Sequence, residues 1–202
     1  YTIGVMNSTL KLIGLAGTAG SGKNTVTELL GKLFGFKDLN TSDAVRALTR
    51  HVYHLPSDFN PVRDQLYVVA NYMRNEVHPA AMVKICILEA QALKIKRGVI
   101  SGLRSMGEAD AIRDAGGIII GVDADPKIRY ERIFNRGRDT EAQKTFEQFL
   151  EQDEYENRGL SDAGPARGIR YILDSADVLI KNEGSIEDLE SEIMEKVAPL
   201  LK

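Results

Sequence analysis

Short apolar runs alternate with segments of helical periodicity along most of the chain. The run KLIGLA at 11–16 precedes a glycine-rich loop, and the segment TVTELLGKLFG after that loop has apolar residues at helical spacing. Comparable runs occur at 36–40 (FKDLN), 98–102 (GVISG), 117–123 (GIIIGVD) and 177–182 (DVLIKN). Strands that alternate with helices predict an α/β fold, in which a parallel five-stranded sheet lies between two layers of helices.

Two stretches depart from this alternation. Residues 41–96 have a mostly helical pattern that is interrupted by prolines, and residues 137–166 are polar and contain two glycines and a proline near their end. Because α/β enzymes place substrate caps and lids in such insertions, we expect a helical acceptor-binding insert at 41–96 and a lid at 137–166. The sequence therefore predicts one domain over 11–202, preceded by an N-terminal extension at 1–10.

The amino-acid composition limits the classes of function that this chain can have. The 202 residues are 43% hydrophobic and 27% charged, with a formal net charge of −3, which argues against a general nucleic-acid coat protein. The single cysteine, Cys86, excludes an internal disulfide and a cysteine-cluster zinc site, and it fits a reducing, cytoplasmic setting. The chain has no apolar run of about 18 residues, so we expect no membrane span, and its first residues lack the basic start of a signal peptide.

The segment GTAGSGK at 17–23 carries the strongest chemical signal. It matches the pattern G-x-x-x-x-G-K between a predicted strand and a predicted helix. Glycines let successive backbone N–H groups turn toward a phosphate, the helix N-terminus adds partial positive charge, and Lys23 reaches the outer phosphates of ATP. The predicted nucleotide-binding residues here are Gly17, Ala19, Gly20, Ser21, Gly22, Lys23, Asn24 and Thr25.

Asn24 departs from the usual form of this motif. A serine or threonine hydroxyl ordinarily ligates Mg²⁺ at this position, whereas an asparagine amide oxygen can ligate the cation or hold its water. GTPases and motor ATPases depend strongly on the hydroxyl, and several small-molecule kinases do not. Asn24 therefore favours a kinase and is itself a candidate metal ligand.

Beyond the loop, four further segments resemble one group of proteins. The loop GTAGSGKNTV is followed in order by TSDAVRALTR, ISGLRSMGE, VDADPKIRYERIFNRGR and ADVLIKNEGSIEDL. From residue 11 onward the chain resembles the P-loop nucleoside monophosphate kinases, particularly dephospho-coenzyme A kinases and archaeal-type nucleotide kinase-like proteins. The resemblance implies the three-layer P-loop NTPase fold, ATP and Mg²⁺ as cofactors, and transfer of a phosphoryl group to a small-molecule acceptor, without a nucleic-acid or membrane partner.

The resemblance also implies roles for residues at the start of the insert. Asp43 and Arg46 begin a predicted helix directly after the FKDLN strand, at the edge of the sheet where ligands bind. In similar kinases the Asp binds the acceptor hydroxyl or the metal, and the Arg holds an acceptor phosphate. An alternative is that Ser42 or Asp43 caps the helix.

Three further arginines are candidates for the acceptor site. Arg63 and Arg74 lie in the helical insert at positions comparable to the acceptor pocket of the related kinases. Arg104 follows the GVISG strand and resembles the acceptor-binding Arg of those kinases. The alternative for Arg63 and Arg74 is an exposed charged helix face.

The GVISG strand contains the second departure from the pattern. Many P-loop proteins have an aspartate at the end of this strand that holds Mg²⁺ through water, and here the residue is Ser101. The carboxylate must then come from elsewhere, with Asp43 the first candidate and Asp123 the second. If neither serves, the protein binds nucleotide with little turnover.

The helical segment after residue 126 is rich in arginine. Arg129, Arg132 and Arg136 share one helix face, and Arg138 follows them. A lid of arginines that closes over the transferred phosphoryl group would stabilise its charge, and the resemblance favours Arg136 as the catalytic lid arginine. The alternative is a solvated charged face, with the acidic run EQFLEQDEYE at 147–156 as a partner for these arginines.

The last strand is followed by the turn NEGS at 182–185. In similar kinases this turn lies against the adenine, so Asn182 is a candidate nucleotide-binding residue together with Arg132; a turn and helix cap formed by Ser185 and Asp188 is an equal alternative. The sequence thus favours phosphoryl transfer from ATP to a nucleoside monophosphate. The alternatives are dephospho-coenzyme A as acceptor and a regulatory nucleotide-binding protein with little turnover. The sequence leaves the oligomeric state open.

Overall fold

The computed structural model describes residues 10–137, 145–158 and 168–201. Five strands alternate with helices in the order that the apolar runs predict. The strands are β1 (Lys11–Gly17), β2 (Lys37–Asp38), β3 (Arg97–Ser101), β4 (Ile118–Asp123) and β5 (Val178–Lys181). The α-helices are α1 (Lys23–Phe34), α2 (Thr41–Val52), α3 (Arg63–Tyr72), α4 (Ala81–Ala92), α5 (Met106–Asp114), α6 (Pro126–Arg136), α7 (Phe146–Arg158), α8 (Ile169–Asp174) and α9 (Ile186–Lys196).

All five strands are parallel, and their order in the sheet is β2-β3-β1-β4-β5. From β1 the chain returns to the sheet on one side, at β2, and from β4 it returns on the other side, at β5. The connections therefore diverge between β1 and β4, which places a crevice at the carboxyl ends of these two strands, where open α/β sheets bind ligands. The predicted parallel three-layer fold is confirmed.

Each face of the sheet buries its own cluster of apolar side chains. Helices α1 and α9 cover one face, where Leu30 and Ile193 pack with Leu15 of β1. Helices α4, α5 and α8 cover the other face. Burial of one such side chain contributes about 1.5–3 kcal/mol to folding. Cys86 lies inside the second cluster, and burial raises its pKa to about 12, so its thiol is an apolar packing group.

The segment 41–96 contains α2, α3, a π-helical turn at Met73–Val77, and α4. Its prolines lie between these helices, because proline has no backbone N–H to donate to a helical hydrogen bond. The Asn40 side chain caps α2 by accepting a hydrogen bond from the Ser42 N–H at 2.8 Å. The alternative that Ser42 or Asp43 caps this helix is therefore wrong. The predicted cap of Ser185 with Asp188 is present at the start of α9.

The structure describes residues 137 and 145–158 of the region predicted as a lid, and these residues include α7. Tyr130 of α6 packs against Phe146 and Phe149 of α7, with ring centroids 5.3 and 5.7 Å apart. The remaining lid residues, 138–144 and 159–166, and the predicted N-terminal extension except Leu10 lie outside the described residues. In the described part of the chain, no helix combines the length and the apolar character needed to cross a membrane.

Candidate functional site

The loop between β1 and α1 forms a cradle lined by backbone. A side chain at Gly17 would place its Cβ 2.5 Å from the Val122 carbonyl oxygen, and Gly22 has a φ of +90°, which favours glycine. No side chain caps α1, since its N-cap residue is Gly22. The first N–H groups of the helix are therefore available to an anion, and the geometry fits the phosphates of a nucleotide.

Lys23 lies across this loop. Its Nζ donates hydrogen bonds to the carbonyl oxygens of Gly17 and Thr18, both at 2.8 Å. The ammonium group is thus held at the mouth of the cradle by two neutral acceptors. Phosphate oxygens are stronger acceptors for an ammonium group than these carbonyls, so Lys23 can exchange its partners when an anion binds.

Two side chains from other elements hold the loop in place. Arg129 Nη1 donates to the Ala19 carbonyl oxygen at 3.2 Å, and Asn182 Nδ2 donates to the Ser21 carbonyl oxygen at 2.8 Å. Arg132 Nη1 in turn donates to the Asn182 carbonyl oxygen at 2.9 Å. The structure therefore brings the predicted residues Asn182 and Arg132 to the phosphate loop. The side-chain amide of Asn182 positions the backbone of that loop.

Arg129 is not part of an exposed arginine face. Its side chain is 3% exposed and forms two hydrogen bonds with the Asp153 carboxylate of α7, at 2.6 and 2.7 Å. The alternative of a solvated charged face is wrong for this residue, because Arg129 points inward and its guanidinium packs on the ring of Phe149. The alternative that the acidic run supplies partners for these arginines is confirmed at Asp153. Arg136 is the exposed last residue of α6, and Arg138 lies outside the described residues.

Asp123, at the end of β4, lies at the crevice between β1 and β4. One carboxylate oxygen accepts hydrogen bonds from Thr18 Oγ1 at 3.2 Å and the Ala124 N–H at 3.0 Å, and the other accepts from Lys181 Nζ at 3.1 Å. Burial alone would raise the pKa of Asp123, but the Lys181 ammonium and these hydrogen bonds outweigh it and hold the pKa below its usual value. This carboxylate anchors the first loop residue, which weakens the prediction that it serves a metal.

The candidate metal ligands Asn24 and Asp43 occupy the starts of two helices. Asn24 is exposed in the first turn of α1, beside the half-buried Thr25. Asp43 lies in the first turn of α2, with its side chain 74% exposed and one oxygen 2.8 Å from Arg46 Nη1. Among the described residues, no group of three or more His, Cys, Asp or Glu side chains could hold a metal ion. A nucleotide-borne Mg²⁺ needs only one or two protein ligands, so these oxygen donors fit it.

A cavity of about 750 Å³ opens beside the carboxyl edge of the sheet. All four predicted acceptor-binding arginines line it, although they come from α2, α3, the π-helical turn and the β3–α5 loop. The lining consists of Thr41, Ser42, Val45, Arg46, Arg63, Leu66, Tyr67, Ala70, Asn71, Arg74, Arg104, Gln152, Tyr155 and Ile169. The arrangement combines an apolar floor with four positive charges and suits a small anionic molecule.

Glu108 orders two of these arginines and was missed by sequence reasoning. Its side chain is 0% exposed; one carboxylate oxygen accepts from Arg74 Nε at 3.1 Å and the other from the Arg104 N–H at 2.6 Å. The sequence feature that could have identified Glu108 is its position three residues after Ser105, whose hydroxyl caps α5. Among the described residues that line the cavity there is no acid, so this buried carboxylate holds the Arg74 guanidinium and the Arg104 backbone without being part of the cavity wall.

Asp38, at the end of β2, is a second residue that sequence reasoning missed. Its carboxylate accepts a hydrogen bond from Ser101 Oγ at 3.0 Å. Partial burial of the carboxyl group raises the pKa of Asp38; the Ser101 hydrogen bond opposes this effect and the nearby negative charge of Asp43 adds to it. The sequence feature that could have identified Asp38 is its position at the end of a predicted strand, at the same edge of the sheet as Ser101.

Known proteins resemble this chain in sequence. A family model described as an AAA domain matches residues 13–157. The chain is 33% identical over 184 residues to a UPF0200 protein of Aeropyrum pernix, covering 90% of this chain and 89% of that protein. It is also 33% identical to the UPF0200 protein PAE1629 of Pyrobaculum aerophilum, covering 91% and 95%.

Solved structures show the same fold at low sequence identity. TT1252 from Thermus thermophilus superposes with a TM-score of 0.61 at 19% identity, covering 96% of this chain and 98% of that one. A shikimate kinase from Acinetobacter baumannii, in complex with shikimate, gives a TM-score of 0.54 at 19% identity, covering 96% and 97%. These similarities concern the arrangement of strands and helices.

Proposed function

Because this chain belongs to the UPF0200 protein family and contains an AAA domain with a P-loop kinase-like fold, we propose that it transfers the γ-phosphoryl group of ATP to a small anionic acceptor. The observation that carries the proposal is the pair of sites at one sheet edge: a glycine cradle for phosphates and a cavity with four arginines. Phosphoryl transfer requires such a donor and acceptor to be positioned side by side.

The residues of the cradle bind and orient the donor in this proposal. The loop N–H groups and Lys23 hold its phosphates, while Asn24 provides an oxygen to the cation. When bound, ATP supplies the phosphoryl group and Mg²⁺ neutralises phosphate charge. Arg132 and Asn182 keep the loop in its binding conformation, as their hydrogen bonds at its edge suggest.

The cavity residues bind and orient the acceptor. Arg46 and Arg104 hold its existing anionic group, and Arg63 and Arg74 provide further positive charge at the wall. The Asp43 carboxylate, held by Arg46, accepts the hydroxyl proton of the acceptor or contributes to the metal site. Arg136, at the end of α6, neutralises the transferred group from the lid side.

We favour a nucleoside monophosphate as acceptor, with dephospho-coenzyme A as the alternative within the same reaction class. One observation favours a second function, a regulatory protein that binds nucleotide with little turnover: β3 ends in a serine and Asp123 is already bound by Lys181. A cytoplasmic location is the setting in which we expect either activity.

Release of ADP from ATP and Mg²⁺ across a panel of acceptors tests the proposal. The panel contains the nucleoside monophosphates, dephospho-coenzyme A and shikimate, each with and without protein. Release that depends on one acceptor supports the kinase and identifies its substrate. Nucleotide binding with no release on any acceptor contradicts the kinase and supports the regulatory protein.

A further inference from the structure

Strand β3 ends beside the phosphate loop without a carboxylate. Ser101, its last residue, lies opposite Leu15 of β1, two residues before Gly17, where the loop begins. Ser101 is 6% exposed, so its hydroxyl is fixed at this edge. Parallel strands end at a common edge, which is where P-loop proteins gather the groups that face the nucleotide.

The neighbouring strand provides a carboxylate at this place. Asp38 lies opposite Val99 in the sheet, and its side chain reaches Ser101, whose Oγ donates to it at 3.0 Å. The Ser101 carbonyl oxygen accepts a second hydrogen bond, at 3.1 Å, from the hydroxyl of Thr41, which lines the acceptor cavity. Asp38 is therefore connected through Ser101 to the boundary between the phosphate loop and the cavity.

The two carboxylates that the sequence suggests for the metal, Asp123 and Asp43, are bound to cationic side chains. Asp123 pairs with Lys181 at 3.1 Å, and Asp43 pairs with Arg46 at 2.8 Å. Asp38 makes no ion pair with any residue that the structure describes, and Asp43 adds negative charge nearby. A carboxylate in this environment gains from a cation that approaches the carboxyl edge of the sheet.

We propose that Asp38, oriented by Ser101, replaces the missing carboxylate of β3 and binds the water shell of the Mg²⁺ that accompanies the nucleotide. This inference rests on the proposed function, because it assumes a nucleotide in the cradle. It assigns Asp38 the metal role that sequence reasoning gave first to Asp43.

Binding of Mn²⁺ separates this role from a structural one. Free Mn²⁺ is measured by its electron paramagnetic resonance signal while protein and a non-hydrolysable ATP analogue are present. Asp38→Asn should weaken Mn²⁺ binding by about 10–100-fold, the usual effect of losing an outer-sphere partner. The affinity of Asp38→Asn for ADP in the absence of metal should stay within twofold of the affinity of the unmodified protein. Asp114→Asn, at an exposed position on α5, is the matched control and should change neither value.

Exchange of the two residues makes the test specific. Asp38→Ser combined with Ser101→Asp moves the carboxylate back to β3 and should restore Mn²⁺ affinity to within tenfold of the unmodified protein. Unchanged Mn²⁺ binding in Asp38→Asn, or no recovery in the folded double variant, overturns the inference. If Asp38→Asn does not fold, Ser101→Ala, which frees the carboxylate without removing it, must still weaken Mn²⁺ binding. Absence of nucleotide binding in the unmodified protein would instead contradict the proposed function itself.

Discussion

In the proposed function, donor binding depends most directly on Lys23. Its ammonium group lies over the cradle and donates to two backbone carbonyls of the same loop. Lys23→Ala should therefore abolish measurable phosphoryl transfer and weaken ADP binding at least tenfold, while the melting temperature stays within a few degrees. Calorimetric titration with ADP and thermal unfolding measure both.

Lys32→Ala is the matched control for this substitution. Lys32 belongs to the same helix but pairs with Glu190 at the surface, 3.2 Å away. Its removal should leave ADP binding intact. Equal losses of ADP affinity in the two variants would show that α1 as a whole, rather than the ammonium of Lys23, determines binding.

Asp123 predicts a dependence of stability on pH. Its pKa is lowered in the folded protein, so its ionised form stabilises the fold above the pKa of an unfolded aspartate, near 3.9, and this contribution is lost as the pH falls through the folded pKa. Asp123→Asn should lower the free energy of unfolding by about 1.5–3 kcal/mol at pH 7, the range for charged hydrogen bonds. Urea unfolding from pH 7 to pH 3 should show this difference shrinking below pH 4.

Asp58→Asn, in the exposed loop after α2, provides the comparison for the same pH series. It should differ little from the unmodified protein at any pH. A deficit of Asp123→Asn that persists unchanged at pH 3 would mean that the amide disturbs packing, and that the ionised carboxylate is not the source of stability.

At the scale of elements, a buried ion pair helps to join α6 and α7. Arg129 contacts Asp153 on one side and the Ala19 carbonyl of the phosphate loop on the other. Gln152 and Tyr155 of α7 line the acceptor cavity. The pair thus connects the wall of the acceptor site with the donor loop.

Asp153→Ala would remove the carboxylate that forms two hydrogen bonds with the buried Arg129 guanidinium and leave only Asp123, 4.0 Å from its Nε. We expect a loss of about 3–5 kcal/mol in the free energy of unfolding, as for other broken buried pairs, and a higher KM for the acceptor. Urea unfolding and initial rates measure the two effects. Glu151→Ala, on the exposed side of α7, should change neither by comparison.

Replacing both partners distinguishes the pair from the packing around it. Arg129→Met with Asp153→Leu removes both charges, so stability should recover while the Ala19 contact and the acceptor KM do not. A double variant with normal KM would contradict the connection between α7 and the phosphate loop.

The same elements show what the sequence could predict. The phosphate loop and its flanking strand and helix follow from contiguous residues, because their geometry depends on local glycines and periodicity. The pairs Arg129–Asp153, Arg74–Glu108 and Ser101–Asp38 join residues 24, 34 and 63 positions apart. Only tertiary packing brings them together, so Glu108 and Asp38 were not predicted, and Asp153 was predicted only as a member of the acidic run at 147–156.

For the whole molecule, the phosphate loop is held by three other segments of the chain. Thr18 bonds to Asp123 at the end of β4, Ala19 to Arg129 of α6, and Ser21 to Asn182 after β5. Anything that orders the loop must therefore also restrain the ends of β4 and β5. Stabilisation by a bound nucleotide should extend well beyond the residues that contact it.

Hydrogen exchange followed by mass spectrometry tests this expectation. A nucleotide at 100 times its dissociation constant stabilises the bound state by about 2.7 kcal/mol, so amides that exchange only after its release should slow by about 100-fold. We expect this protection at 17–25, at 123–132 and at 181–185, with the exposed loop at 54–60 unchanged as the internal reference. In the Lys23→Ala variant at the same nucleotide concentration, a loss of affinity of at least tenfold should reduce this protection to about 10-fold or less at all of them. Protection confined to 17–25 would mean that the bonds from Asp123, Arg129 and Asn182 do not transmit the ordering, and that the loop responds to nucleotide alone.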